Sequence, residues 1–400
     1  MRCARSLHSS AALAVVLAGS AQAAVPPGTS VVPGPWVPPG KVTAPAAPGF
    51  AEALSVRPFV FPRDHGPHPA FRQEWWYVTG NLDAADGERF GFELTFFRFA
   101  LVPPEVPLPA PAREEPGTQV ASAWRSREIY LAHFAVTDVA RGRFRFAQKL
   151  ERGALGLAGA LGEPLHVWVD DWSLGGGEAV AAAGAMRWRL HATQQGYAIE
   201  LELAPQTPPV LNGENGLSRK ADEPSAASYY YSIPRLDVRG RVLRDGRALT
   251  VSGTAWLDRE WGSGALGVQQ SGWDWFALQL NDGSALMFYA LRRRDGSRDR
   301  HSAGTWLGAS GETRPLADVD VAISVTREWR NARGDRYPAG WHIRVPSLAL
   351  DLGVRPVLPD QELGTTPRYW EGAVDVSGQR DARTLGGRGY VELVGYAAER

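Results

Sequence analysis

From about residue 71 onward the chain alternates apolar and polar positions with a period of two. RFGFELTFFRF, IYLAHFAVTDV, MRWRLHAT, YAIELELAP, DVRGRVL, ALTVSGTAWLD, WDWFALQL, SALMFYALRR, WHIRVPSLAL and GYVELVGY are runs of this kind, bounded by DG, NDG, RG or Pro. Such runs read as strands joined by hairpins, and amphipathic helical spacing is hardly seen. The pattern predicts an all-β protein.

The pattern also repeats. Trp75-Trp76-Tyr77 is followed by Leu82 and Asp86-Gly87, and Trp273-Asp274-Trp275 is followed by Leu280 and Asp282-Gly283. Later, Tyr231, Val238 and Gly240 in YSIPRLDVRG match Tyr369, Val376 and Gly378 in YWEGAVDVSG. Two matches in one order argue for duplication, with a boundary near 265 that gives domains 51–265 and 266–400. The first copy carries a Pro-rich insertion at 102–116 and a loop at 205–228. Two units of consecutive hairpins suggest antiparallel barrels, because closure removes sheet edges. A barrel of about eight strands can hold one small apolar ligand.

Composition sharpens this. The chain has 15 Trp in 400 residues, which a large core or an aromatic binding site must explain. Basic and acidic residues balance at 43 each, so no nucleic-acid or anionic-membrane partner is expected. The N-terminus MRCARSLHSSAALAVVLAGSAQA has Arg2 and Arg5, a short apolar run and Ala21-Gln22-Ala23. Residues 1–23 therefore read as a signal peptide, too short to remain as a membrane span. Ser20 stands where a lipoprotein would carry its lipid-accepting cysteine, so lipidation is not expected. Residues 24–50, rich in Pro and Gly, read as a flexible leader. The mature chain is expected in the periplasm or secreted, with no integral membrane segment. Its only cysteine, Cys3, lies in the signal, so disulfides and thiolate chemistry are not expected.

Motifs for serine hydrolases, P-loops, dinucleotides and zinc peptidases are absent. His65 and His68 form an H-x-x-H in a Pro-Gly loop, without a third ligand nearby in sequence. They read as solvated loop histidines, and no metal site is expected. His133 sits among apolar neighbours, either as a buried hydrogen-bonded histidine or as a ligand-facing group. Glu74 adjoins Trp75, Trp76 and Tyr77. It is either ion-paired with an arginine or a carboxyl with raised pKa. Trp75 and Tyr77 recur as Trp273 and Trp275, which favours wall, whereas Gly272 replaces Glu74 and leaves that carboxylate as the candidate for function.

The richest grouping is SYYYSIPRL with SGTAWLDREWG. Tyr229 and Tyr231 share one strand face, as do Trp256, Asp258 and Glu260. In a hairpin turned at 244–246 these faces would lie side by side. A carboxyl, phenols and an indole in one apolar pocket suit protonation of an alkene, with aromatic faces stabilising the cation. The other reading is plain core, with Asp258 salt-bridged to Arg259 or Arg235.

EWWYVTGNL, HFAVTD, YYYSIPRL, GTAWLDREWG, GWDWFALQLNDG and the C-terminal YWEGAVDVSG…GRGYVELVGY resemble, in order, the AttH-like secreted proteins. These are often labelled predicted hydrolases and are related to the carotenoid 1,2-hydratases (CrtC). The resemblance implies two tandem lipocalin-like (calycin) antiparallel β-barrels and cofactor-free hydration of an apolar alkene. It places the acid on Asp258, with Tyr229, Tyr231 and Trp256 at the assisting positions; the hydratases' imidazole is missing, since Tyr229 stands in its place. Glu74, Trp76, His133 and Trp273 complete the expected ligand-binding set. The expected partner is an elongated apolar molecule, isoprenoid or lipid-like, either hydrated or hydrolysed at Asp258 or simply carried through the periplasm.

Overall fold

The computed structural model describes residues 49–108, 123–179, 186–264 and 266–397. The expected signal peptide and all but the last two residues of the leader lie outside them, as does most of the Pro-rich insertion. The described chain is all-β, with three short 3-10 turns. None of its helices is long and apolar enough to cross a membrane.

Apart from a two-stranded sheet of Glu328–Arg330 and Arg336–Pro338, the described strands form two antiparallel barrel-type sheets in tandem. The first, of thirteen strands, runs from Gln73 to Gly262; the second, of ten, runs from Gln270 to Val394 with its short strands included. One local plan serves both. In the first, Gln73–Ala84 lies between Arg89–Ala100 and the last long strand, Arg247–Gly262, which in turn pairs with Ala227–Arg244. In the second, Gln270–Leu280 lies between Ala285–Arg293 and Arg383–Val394, which pairs with Tyr369–Arg380. Pairing the first strand of a unit with its last curls each sheet around its own core.

The glycines shared by the two repeats have a steric cause. A Cβ on Gly240 or Gly378 would lie 2.1 Å from the carbonyl oxygen of Glu200 or Asp351 on the adjacent strand.

Strands remote from the junction keep the one-faced pattern. In Leu165–Val169 the odd-numbered residues are buried and the even-numbered ones half-buried. Gln73–Ala84 is buried almost continuously, as is Gln270–Leu280. One face of each packs into its own barrel and the other meets the opposite barrel. A third apolar cluster fills this junction, with Tyr77, Tyr230 and Trp256 from the first barrel and Trp275, Met287 and Tyr390 from the second. Strands covered on both sides need apolar residues on both faces.

Candidate active site

Register places the key groups. Tyr77 lies opposite Asp258 and Trp75 opposite Glu260 in the first barrel. In the second, Trp275 lies opposite Glu392 and Trp273 opposite Val394. Residues directly opposite in an antiparallel pair share a face. These faces meet, with the Tyr77 and Trp275 rings edge to face at 5.1 Å between centroids. Between the barrels lies a cavity of about 160 Å³, walled by Trp75, Tyr77, Phe97, Trp273 and Trp275, with Asp258 and Glu392 on its surface.

Asp258 is held by three donors: Tyr230 Oη at 2.5 Å to Oδ2, and Ser232 Oγ at 2.5 Å and Trp256 Nε1 at 2.7 Å to Oδ1. Trp275 Nε1 in turn donates to Tyr230 Oη at 3.1 Å, so the second barrel fixes the phenol that holds the acid. Among the described residues no cation lies within ion-pairing distance of Asp258. Burial pushes its carboxyl up to about 7 against these three hydrogen bonds, with Glu260 adding repulsion. Arg259 points away, to Glu74, and Arg235 donates to the Leu280 carbonyl, so the expected salt bridge to either is not formed.

The cavity floor carries further polar groups. Lys220 Nζ lies 3.4 Å from Glu260 and 4.0 Å from the Tyr289 ring centroid. His133 Nδ1 is 2.9 Å from Tyr369 Oη, and burial lowers its imidazole to about 4, so it is neutral. His133 and Trp273, both expected to bind ligand, line the cavity. Among the described residues no three metal-binding side chains cluster.

Four other expected site residues lie elsewhere. Tyr229 and Tyr231 do not meet Asp258; both face the core of the first barrel, where Tyr229 Oη donates to the Ser55 carbonyl and Tyr231 Oη lies 2.6 Å from His65 Nδ1. The cause is a register shift. The hairpin turns at Asp245-Gly246, both with positive φ, and pairs Arg244 with Arg247 through Leu236 with Ala255. Continued unbroken, that register would set Tyr231 opposite Glu260. A bulge between Ile233 and Leu236 instead sets Tyr230 opposite Glu260 and Ser232 opposite Asp258. One extra residue exchanges the two faces.

Trp76 belongs to the same barrel core, its Nε1 on the His65 carbonyl and its ring 3.9 Å from the Arg259 guanidinium carbon. Glu74 is fully buried beside it, bonded by Arg98 Nε at 2.5 Å and by an Arg259 terminal nitrogen at 2.9 Å. Burial alone would raise its carboxyl, yet Arg98, His68 and Arg259 hold it well below the usual carboxylate range. Glu74 is an ion-paired structural group, so the expectation that it binds ligand is not met. His65 and His68 are not solvated either: His65 is buried, and His68 stacks on Trp261 at 3.8 Å with contacts to Asp64 and Glu74. Tyr230, Ser232, Lys220 and Glu392 escaped the sequence reading. The signal for the first two was Pro234, since proline inside a strand marks a bulge or an edge.

Solved structures share this architecture. A solved structure of a Nitrosomonas europaea protein described as an AttH is 36% identical, with a TM-score of 0.73, covering 88% of this chain and 100% of the other. Kievitone hydratase from Nectria haematococca shares the fold at 16% identity and a TM-score of 0.63, over 88% and 98% of the two chains. CghA, solved with Sch210972, does so at 12% and 0.50, over 88% and 97%. No curated protein matches. Residues 52–396 match the AttH-like family, and the chain belongs to it.

Proposed function

We propose that this protein is a hydratase-type enzyme that adds water to an alkene in an elongated apolar molecule, with Asp258 as the proton donor. The observation that supports it best is a carboxyl raised to about 7 by burial, free of any ion pair among the described residues, and set in a cavity of aromatic walls. Such an acid keeps its proton near neutrality, where an ordinary aspartic acid has lost it. When the proton passes to an alkene carbon, the C=C π pair forms the new C–H bond and the adjacent carbon becomes cationic. Trp75, Tyr77, Trp273 and Trp275 present π faces and edges around that position, and π faces attract cations. The carboxylate left behind keeps the Tyr230, Ser232 and Trp256 donors, which are already oriented and need no reorganisation. Water then attacks the cation and loses a proton. The similarity to kievitone hydratase lends the reading its reaction class. The N-terminal segment argues for action outside the cytoplasm.

The test is Asp258→Asn with a long-chain trisubstituted alkene in heavy-oxygen water, following label in the alcohol by mass spectrometry. Asn conserves volume and still accepts from Ser232 and Trp256. The expected outcome is at least a hundredfold loss of turnover with alkene affinity nearly unchanged, because apolar contact supplies the binding. Tight binding by the wild type with no label incorporated would point to a carrier.

A further inference from the structure

We propose that Glu392 is the second carboxyl of this site, holding one proton in common with Asp258 and taking the proton of the attacking water. The base role rests on the hydratase reading above; the shared proton does not.

The repeat is the first ground. Glu392 lies opposite Trp275 as Asp258 lies opposite Tyr77, and those two rings touch at the junction. The duplicated plan therefore puts one carboxyl from each barrel on the surface of a single cavity. The second ground is how differently the two are held. Among the described residues Asp258 accepts three hydrogen bonds, whereas Glu392 accepts one, from Trp273 Nε1 at 3.2 Å.

The third ground is the charge around them. Lys220 is the one Lys or Arg side chain lining the cavity among the described residues, and Glu260 faces it at 3.4 Å. Glu371, opposite Glu392 on Tyr369–Arg380, accepts from Tyr77 Oη at 2.6 Å; Glu93, on Arg89–Ala100, accepts from Thr95 Oγ1 at 2.5 Å. Both are fully buried, with no cation in ion-pairing distance among the described residues, and burial raises both well above the usual carboxylate range. His133 is neutral and Tyr369 and Tyr77 remain phenols, their ionisation pushed up by burial. Asp258 and Glu392 are therefore left without a counter-ion of their own. Two like charges in one low-dielectric site are held to one by retention of a proton. Burial raises Glu392 to about 7, and Asp258 and Glu260 add repulsion.

The balance of the reaction is then complete. The Asp258 O–H bond breaks and its proton joins one alkene carbon. A water oxygen lone pair bonds the other carbon, and the Glu392 carboxylate takes the released proton. The pair ends with the one proton it began with, and its return to Asp258 resets the site.

The experiment is an infrared titration of the carboxyl C=O band across neutral pH for the wild type, Glu392→Gln and Asp258→Asn. Removing one carboxyl should lower the remaining one's titration by about one pH unit or more, and coupling is reciprocal, so both variants should show the same shift. Either variant suffices if the other fails to fold. If neither shift occurs, the shared proton is refuted whatever the turnover. If both occur while no label enters the alkene, the hydratase reading fails and the pair stands. If the wild type adds water, Glu392→Gln should slow kcat about a hundredfold, and an unchanged kcat overturns the base role.

Discussion

Glu74 and Asp258 show how much a residue's chemistry depends on which face of a strand it occupies. Both are buried carboxyls beside aromatic rings, on adjacent antiparallel strands. Glu74 faces the first barrel's core with two guanidinium groups; Asp258 faces the junction with neutral donors. The first is held ionised, whereas burial raises the second to about 7. Glu74→Gln should therefore act on stability and leave the cavity intact. Removing the Glu74 charge leaves Arg259 buried without a carboxylate among the described residues and Arg98 with Glu128 alone, an effect at the low end of about 3–5 kcal/mol. Urea unfolding should show the lowered midpoint, with alkene affinity at the wild-type value. A loss of affinity with unchanged stability would return Glu74 to the ligand site.

At the scale of elements, the alternation of the strands and the recurrence of Trp75 and Tyr77 at 273 and 275 made the barrels legible. Local pattern determines both, because side chains alternate along any strand. Facing across a hairpin was not legible from alternation, since it is set by a bulge and one residue inverts it; Pro234 alone marked the place. The sequence placed Tyr229 and Tyr231 with Asp258, and the shift at Pro234-Arg235 put Tyr230 and Ser232 there instead. Trp256 was correctly placed beside Asp258 because the two share one strand face without crossing the bulge. Glu392 was out of reach for another reason: it lies 134 residues from Asp258 in the chain, and only the packing of two barrels brings them to one cavity. Paired variants read the bulge directly. Tyr230→Phe removes a donor to the Asp258 carboxylate and should raise the pH at which Asp258 titrates. Tyr231→Phe, whose hydroxyl faces His65 in the barrel core, should leave that titration in place. Equal effects of the two on the infrared carboxyl band would contradict the register.

At the scale of the molecule, the junction between the barrels gathers Asp258, Glu392, Glu371 and Glu93, all raised by burial. A carboxyl whose pKa is higher in the folded chain than in the unfolded one contributes stability that is full below the unfolded value. That contribution is lost as pH rises through the folded value. For Asp258 the window runs from 3.8 to about 7, and for Glu392 from 4.5 to about 7. The buried histidines act in the opposite sense: His65 and His133 fall from 6.5 to about 4, so their neutral forms lose stability on acidification below about 6.5. Opposing slopes overlap in mildly acidic solution, and above about 6.5 only the carboxyls remain. From about 6.5 stability should therefore fall as pH rises through about 7, by up to about 1.4 kcal/mol per pH unit for each carboxyl protonated only in the folded chain. Asp258 and Glu392 contribute to this fall through about 7, and Glu371 and Glu93, raised by burial in the same direction, add to it above the ordinary 4.5. Glu371→Gln keeps an acceptor for Tyr77 and removes one group raised by burial, so its melting temperature should fall less steeply than the wild type's as pH rises above 4.5. Parallel melting curves for the two proteins would mean that the fold does not raise Glu371.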